Sequence, residues 1–140
     1  MTIVSYNTKE FFAHPRPSKF FKSEGLFDTL NLVEGVTLYV GNTSFPSGHT
    51  MSGFALFSLC AFMLKDKKIF AFFLIVLAVL VGISRIYLVQ HFLEDVFLGS
   101  IMGVLLSMIL FRLQSYISYD SSKWWNRSLL NMKEKPVVKA

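Results

Sequence analysis

A histidine and an aspartate next to apolar stretches are the residues best placed to do chemistry together. His91 and Asp95 are four residues apart, so on one helix face the carboxylate can accept the imidazole proton and fix its tautomer. An imidazole oriented in this way can act as a nucleophile or a base. The simpler alternative is a helix cap, because the macrodipole favours Asp95 in the first turn.

A second group, Phe45-Pro46-Ser47-Gly48-His49, stands directly before an apolar run. Ser47 can cap the helix that follows, Gly48 permits close approach of the backbone, and the amides of the first turn can bind an anion. Taken alone, this string is more typical of a plain capped helix start.

Cationic side chains flank these groups. Arg85 lies near the end of an apolar run, and Lys9 and Arg16 lie near the start of the chain. Taken singly, Arg85 is typical of a snorkelling arginine, Lys9 and Arg16 of solvated charges, and His14 is interpreted as incidental. Ionisable groups at membrane helix ends are costly unless they face water or a partner, so their convergence predicts a site.

The composition indicates the elements that must position these residues. Of 140 residues, 53% are hydrophobic and 16% are charged, and the mean hydropathy of +0.49 is too high for an ordinary soluble domain. Disorder is excluded, and a lone Cys60 excludes a disulfide framework within one chain. The net charge is +5, but the basic residues lie in short flanks, so nucleic acid is not expected as a partner.

We therefore predict an all-α integral membrane helix bundle with three transmembrane helices. Ile69–Val89 alone covers roughly 30 Å at ~1.5 Å per residue, the thickness of a hydrocarbon core. The three predicted spans are Phe45–Leu64, Ile69–Val89 and Phe92–Phe111. The predicted organisation is an extracytoplasmic segment 1–44, a core 45–113 and a basic cytoplasmic tail 114–140.

The positive-inside rule orients this bundle. Basic residues follow the first and third predicted spans, so both flanks should face the cytoplasm, and the opposite ends should face outward. The basic residues concerned are Lys65, Lys67, Lys68, Arg112, Lys123, Arg127, Lys133, Lys135 and Lys139. The outward ends then hold the group around His49, Ser84-Arg85, and His91 with Asp95.

Three motifs, taken together, resemble one known family. They read Lys9-x6-Arg16-Pro17, then Pro46-Ser47-Gly48-His49, then Ser84-Arg85-x5-His91-x3-Asp95. The set resembles the type 2 phosphatidic acid phosphatases, which share their site with vanadium haloperoxidases. The motifs occur in order without a substituted key position, and the resemblance covers about Lys9 to Phe111.

This resemblance implies a metal-independent enzyme without a cofactor. His91 would attack phosphorus to form a phosphohistidine, Asp95 would orient the ring, and His49 would protonate the leaving oxygen and then activate water. The residues expected to hold the phosphoryl oxygens are Lys9, Arg16, Ser47, Gly48 and Arg85. Cations can stabilise the charge that the transition state spreads over these oxygens.

The expected substrate is a lipid phosphate or diphosphate at the outer face of the cell membrane. Phosphatidic acid, undecaprenyl diphosphate, phosphatidylglycerol phosphate and lipid A phosphates are all compatible with the resemblance. Members of the family usually have about six membrane helices, so the chain is expected to correspond to the C-terminal half. Missing N-terminal helices, or a homo-oligomer, are then expected to complete the fold.

Other functions fit parts of the pattern. A vanadate-dependent haloperoxidase would use the same residues, but such enzymes are generally soluble, and the apolar runs argue against one. A non-catalytic membrane fragment that needs a partner half is a second alternative, which the intact motifs argue against. A lipid phosphotransferase would use the same phosphohistidine chemistry, and product analysis separates it from a hydrolase.

Overall fold

The computed structural model describes residues 12–64 and 67–116, and within them the regular structure is helical, with no strand. The four α-helices are α1 (Pro17–Ser23), α2 (Gly48–Met63), α3 (Lys68–Tyr87) and α4 (Leu93–Tyr116), and a 3₁₀ helix covers Phe27–Thr29. The all-α prediction is confirmed for this part of the chain. Lys9 and most of the predicted basic tail lie outside the described residues.

Helices α3 and α4 are long and apolar enough to cross a membrane. The candidate spans, Lys68–Tyr87 and Leu93–Gln114, are only 11% and 22% buried within the protein. The core helix of a soluble domain would bury most of its apolar side chains, whereas here large residues such as Phe70 and Phe72 are exposed. This pattern supports membrane association.

Helix α2 is shorter than the other two apolar helices. Its 16 residues reach about 24 Å at ~1.5 Å per residue, less than the roughly 30 Å hydrocarbon core. The third predicted transmembrane helix is therefore not confirmed and stays a prediction.

Small residues bring α2 and α4 into backbone contact. Helix α2 packs against both α3 and α4, which make few contacts with each other. At four-residue intervals, α4 buries Gly99, Gly103 and Ser107. A Cβ atom on Gly103 would lie 2.5 Å from the carbonyl oxygen of Met51, so only glycine fits there. Such small residues at four-residue spacing are typical of tightly packed membrane helices.

The substitution Gly103→Ala is expected to destabilise the fold, although alanine is intrinsically the better helix former by about 1 kcal/mol. The added methyl group overlaps the backbone of α2, and such overpacking costs about 1–3 kcal/mol. Thermal unfolding of the detergent-solubilised protein measures the effect. Ser100→Ala, also on α4, is the matched control. If Gly103→Ala unfolds at the wild-type temperature or above, the backbones of α2 and α4 do not approach as closely at Gly103 as described.

Backbone hydrogen bonds fold the segment before α2 onto itself. The N–H of Arg16 donates to the carbonyl of Gly41 at 2.9 Å, and the N–H of Ser44 donates to the carbonyl of His14 at 3.1 Å. These bonds hold the chain just before α1 beside the chain that leads into α2.

An aromatic cluster attaches this segment to the start of α4. The ring of Phe92 lies 5.8 Å from the rings of both Phe20 and His14, measured between centroids. The edge-to-face geometry of these contacts is favourable for aromatic pairs. Residues far apart in the sequence are thereby brought to the same end of the bundle.

The opposite end of the bundle is basic. The rings of Phe62 and Phe111 are 5.8 Å apart between centroids, which places the C-terminal ends of α2 and α4 together. Exposed Lys67, Lys68 and Arg112 lie at this end. These three basic residues are thus separated from the predicted site by the length of the helices.

Candidate active site

The histidine–aspartate pair lies at the start of α4. The structure places His91 Nδ1 at 3.4 Å from Asp95 Oδ2, and the residues are 4% and 0% exposed. Helix α4 begins at Leu93, so His91 precedes the helix and meets Asp95 across its first turn. With Nδ1 directed at the carboxylate, a nucleophilic role for this imidazole would fall to Nε2.

Further donors hold the carboxylate of Asp95 in place. Its Oδ2 atom accepts a hydrogen bond from the N–H of Phe92 at 2.8 Å and another from the hydroxyl of Ser44. The first of these bonds caps the N-terminus of α4, so Asp95 both caps the helix and faces the imidazole. The helix cap and the contact with His91, which the sequence analysis treats as alternatives, are therefore both made by one side chain.

The start of α2 is joined to this pair through the backbone. The N–H of Ser47 donates to the carbonyl oxygen of Asp95 at 3.0 Å. The Ser47 hydroxyl accepts from the amide of Thr50, so the predicted N-cap is confirmed. Gly48 and the exposed His49 form the first turn of α2. The second and third motifs therefore lie at the same end of the bundle.

Two arginines converge on a residue that the sequence analysis does not identify, Gln90. The Nη1 atom of Arg16 donates to the carbonyl oxygen of Gln90 at 3.2 Å. The Nη1 atom of Arg85 donates to its Oε1 atom at 3.1 Å. Gln90 is neutral and stands next to His91, so it holds both guanidinium groups beside the histidine without cancelling their charge.

Arg16 remains cationic although it is partly buried. Partial burial lowers the pKa of the guanidinium, and attraction to Asp95 opposes that effect. An arginine side chain stays protonated in proteins even when its pKa falls. The ring of Tyr39 lies under the guanidinium at 5.0 Å, a favourable cation–π distance.

A tight turn after α3 brings Gln90 and His91 back towards Arg85. Val89 has a φ of +53°, a left-handed conformation that valine rarely adopts. The N–H groups of Gln90 and His91 then both donate to the carbonyl oxygen of Arg85, at 3.1 and 3.3 Å. Local backbone geometry therefore positions the third motif around its arginine.

His14, interpreted as incidental from the sequence, contacts both acidic residues at the start of α4. Its Nε2 atom lies 3.3 Å from Glu94 Oε1, and its Nδ1 atom lies 3.9 Å from Asp95 Oδ1. The sequence analysis also misses Ser44, an uncharged residue outside the motifs. The only signal for these contacts is proximity in the sequence, because Ser44 and His14 are close to the second and first motifs.

Comparison with known proteins identifies the family. The chain is 44% identical over 71 residues to phosphatidylglycerophosphatase B of Bacillus subtilis (strain 168), covering 45% of this chain and 35% of that protein. It is 30% identical over 143 residues to probable lipid phosphate phosphatase 4 of Arabidopsis thaliana, covering 87% of this chain and 46% of that protein.

A third relative is lipid phosphate phosphatase 1 of Arabidopsis thaliana, 28% identical over 142 residues, with 87% of this chain and 43% of that protein covered. The chain thus spans between about a third and a half of the length of these relatives. No solved structure matches the chain. The PAP2 superfamily model matches residues 1–119, and since this match covers most of the sequence, the chain belongs to the PAP2 superfamily.

Proposed function

We propose that the chain is a membrane lipid phosphatase that hydrolyses a phosphomonoester or diphosphate through a phosphohistidine intermediate. The observation that carries this proposal is the buried His91–Asp95 pair beside two arginines that share Gln90. This arrangement combines a nucleophile, a group that orients it and cations for a phosphoryl group. The proposed substrates are of the phosphatidic acid or isoprenyl diphosphate class.

In the first step, Nε2 of His91 attacks phosphorus while the bond from phosphorus to the leaving oxygen breaks. The carboxylate of Asp95 stabilises the positive charge that develops on the imidazole. Arg16 and Arg85 stabilise the negative charge on the equatorial oxygens. Lys9, Ser47 and Gly48 are proposed to hold the same oxygens. His49 gives a proton to the leaving oxygen.

In the second step, His49 takes a proton from water, which attacks the phosphohistidine. The bond between nitrogen and phosphorus breaks, inorganic phosphate leaves and neutral His91 is restored. The exposure of His49 at the start of α2 supports this role, because water can reach it. No step requires a metal ion, so the proposed reaction is metal-independent.

The surroundings of the site support a lipid as substrate. Two apolar helices end beside it, and the names of the relatives in Arabidopsis refer to lipid phosphate phosphatases. Lys67, Lys68 and Arg112 flank the membrane helices at the opposite end of the bundle, so we place the site on the extracytoplasmic side of a multi-pass membrane protein. Completion of the fold by further helices or a second copy stays a prediction.

Phosphate release from a panel of lipid phosphates and diphosphates tests this function. We expect membranes that contain the chain to release inorganic phosphate in the presence of excess chelator, and His91→Ala membranes to release none above background. Transfer of the phosphoryl group to an alcohol, with little free phosphate, would instead indicate a phosphotransferase. Absence of both products from inserted, folded chain would contradict the proposal.

The substitution Arg85→Lys is expected to lower kcat/KM by roughly 10- to 100-fold, mostly through a higher KM. A lysine keeps the charge, but it cannot bind two phosphoryl oxygens in a planar fork while also donating to Gln90. The matched control is Arg112→Lys at the opposite end of the bundle, which should leave the kinetics unchanged. Equal kinetics for Arg85→Lys and wild type would show that Arg85 does not bind the phosphoryl group.

A further inference from the structure

A second cluster of polar side chains lies on the side of Asp95 that faces away from His91. His14, Glu94 and Asp95 each offer one possible ligand atom, and these atoms lie within 4.8 Å of one another. His14 comes from the segment before α1, whereas Glu94 and Asp95 begin α4. The cluster therefore joins two parts of the chain that are distant in sequence.

The two oxygens of Asp95 have different surroundings. Oδ2 accepts from Phe92 and Ser44 and faces His91. Oδ1 is buried and, among the described residues, has no hydrogen-bond partner; the same is true of His14 Nδ1. A buried polar atom without a partner is costly. The cluster thus contains two buried atoms that could be metal ligands, His14 Nδ1 and Asp95 Oδ1, which face each other at 3.9 Å.

The possible ligand atoms of His14, Glu94 and Asp95 lie close enough together to be drawn onto one metal ion. Ligand atoms in a tetrahedral zinc site are about 3.3 to 3.6 Å apart, since each bond is about 2.0 to 2.2 Å long. His14 can give only one ring nitrogen to an ion: its Nε2 atom lies 3.3 Å from Glu94 Oε1, and its Nδ1 atom lies 3.9 Å from Asp95 Oδ1. One nitrogen of His14 lies within 4.8 Å of an oxygen of each carboxylate, so the side chains must rotate closer together to bind one ion. Glu94 is 63% exposed, so an ion can enter from solvent.

The donor types favour a transition metal over magnesium or calcium. Imidazole nitrogen and carboxylate oxygen are both zinc ligands, whereas magnesium and calcium prefer oxygen ligands alone. Three protein ligands leave a fourth position for water. We propose that His14, Glu94 and Asp95 form a binding site for a divalent transition metal ion, with Zn²⁺ as the best match.

An ion at this site should affect the proposed phosphatase reaction, and this consequence rests on the proposed function. Zinc bound to Oδ1 would draw negative charge away from Oδ2, so Asp95 would stabilise the imidazolium of His91 less well. Zinc is therefore expected to inhibit phosphate release, and a chelator is expected to reverse the inhibition. The reaction itself needs no ion at this site.

Direct binding tests the site without reference to activity. The full chain in detergent is titrated with Zn²⁺ in equilibrium dialysis, and with Co²⁺ as a spectroscopic probe of nitrogen and oxygen ligands. We expect one ion per chain at this site and an affinity at least ~10-fold weaker for His14→Ala and for Glu94→Gln, since even outer contacts contribute that much. Glutamine has nearly the shape of glutamate, and the side chain of Glu94 is exposed. Glu94→Gln should therefore stay folded, so a loss of affinity in this variant reports on the ion site.

The variant His91→Ala separates this site from the catalytic pair. It should bind Zn²⁺ with wild-type affinity, because His91 faces the other oxygen of Asp95. Wild-type affinity in both His14→Ala and Glu94→Gln, or loss of binding in His91→Ala, would overturn the proposal. If no lipid yields phosphate but these binding results hold, the proposed function fails while the ion site stands.

Discussion

Replacing His91 with alanine is expected to lower kcat/KM for phosphate release by roughly 10⁴-fold or more, the largest effect of any single substitution in this chain. The variant has no nitrogen with which to form the bond to phosphorus. Water cannot replace it efficiently, because the carboxylate of Asp95 is placed to orient an imidazole. The residual rate should reflect only electrostatic stabilisation by the remaining cations.

Initial rates with the best lipid of the panel measure this effect, and rapid acid-free quenching with radiolabelled substrate detects the phosphohistidine directly. The label should appear in wild type and be absent from His91→Ala. The matched control is Leu93→Ala, which alters an exposed side chain (70% exposed) at the same helix start and should keep the wild-type rate. A folded His91→Ala variant with wild-type turnover would rule out the phosphohistidine mechanism.

The substitution Asp95→Asn is expected to lower kcat by roughly 10²- to 10⁴-fold, with a small effect on KM. An asparagine oxygen can still accept from Phe92 and Ser44, so the start of α4 should stay folded. The negative charge that stabilises the imidazolium is lost, and the amide can impose the wrong tautomer on His91. Because the arginines are untouched, binding of the phosphoryl group should be nearly preserved.

Separate determination of kcat and KM distinguishes this role from that of Arg85. Ser44→Ala serves as the graded comparison, since it removes one donor to Asp95 but leaves the carboxylate, and it should lower kcat by less than Asp95→Asn does. If Asp95→Asn acts mainly on KM, or if its kcat equals that of wild type, Asp95 does not orient the nucleophile. Thermal unfolding shows whether either change disturbs the fold.

Features that depend on neighbouring residues can be predicted from the sequence. The cap at Ser47 follows from the local sequence, and the pairing of His91 with Asp95 follows from their short spacing. The one-face helical arrangement expected for this pair is not found, because His91 precedes α4. Apolar runs predict α3 and α4 within a few residues. The predicted start at Phe45 is too early for α2, because the cap at Ser47 sets it, and the predicted end at Phe111 is too early for α4.

Contacts made by residues outside the recognised motif positions could not be predicted. Gln90 binds Arg16 with its backbone oxygen and Arg85 with its side chain, and nothing in an uncharged glutamine next to a motif indicates two such partners. Likewise, His14 reaches Glu94 only because Phe92 packs against the segment around α1. Such pairings depend on how loops pack, which one-dimensional patterns do not encode.

The small residues between α2 and α4 are constrained differently from the residues on the outer faces of the helices. Gly99 and Gly103 fix the distance between the helices that carry the second and third motifs, so size is restricted along the inner face. The outer faces present bulky apolar groups such as Phe70 and Phe73, which need only remain apolar. Changes of membrane thickness or acyl-chain length could therefore be accommodated by exchanging outer residues, while the catalytic geometry is inherited unchanged.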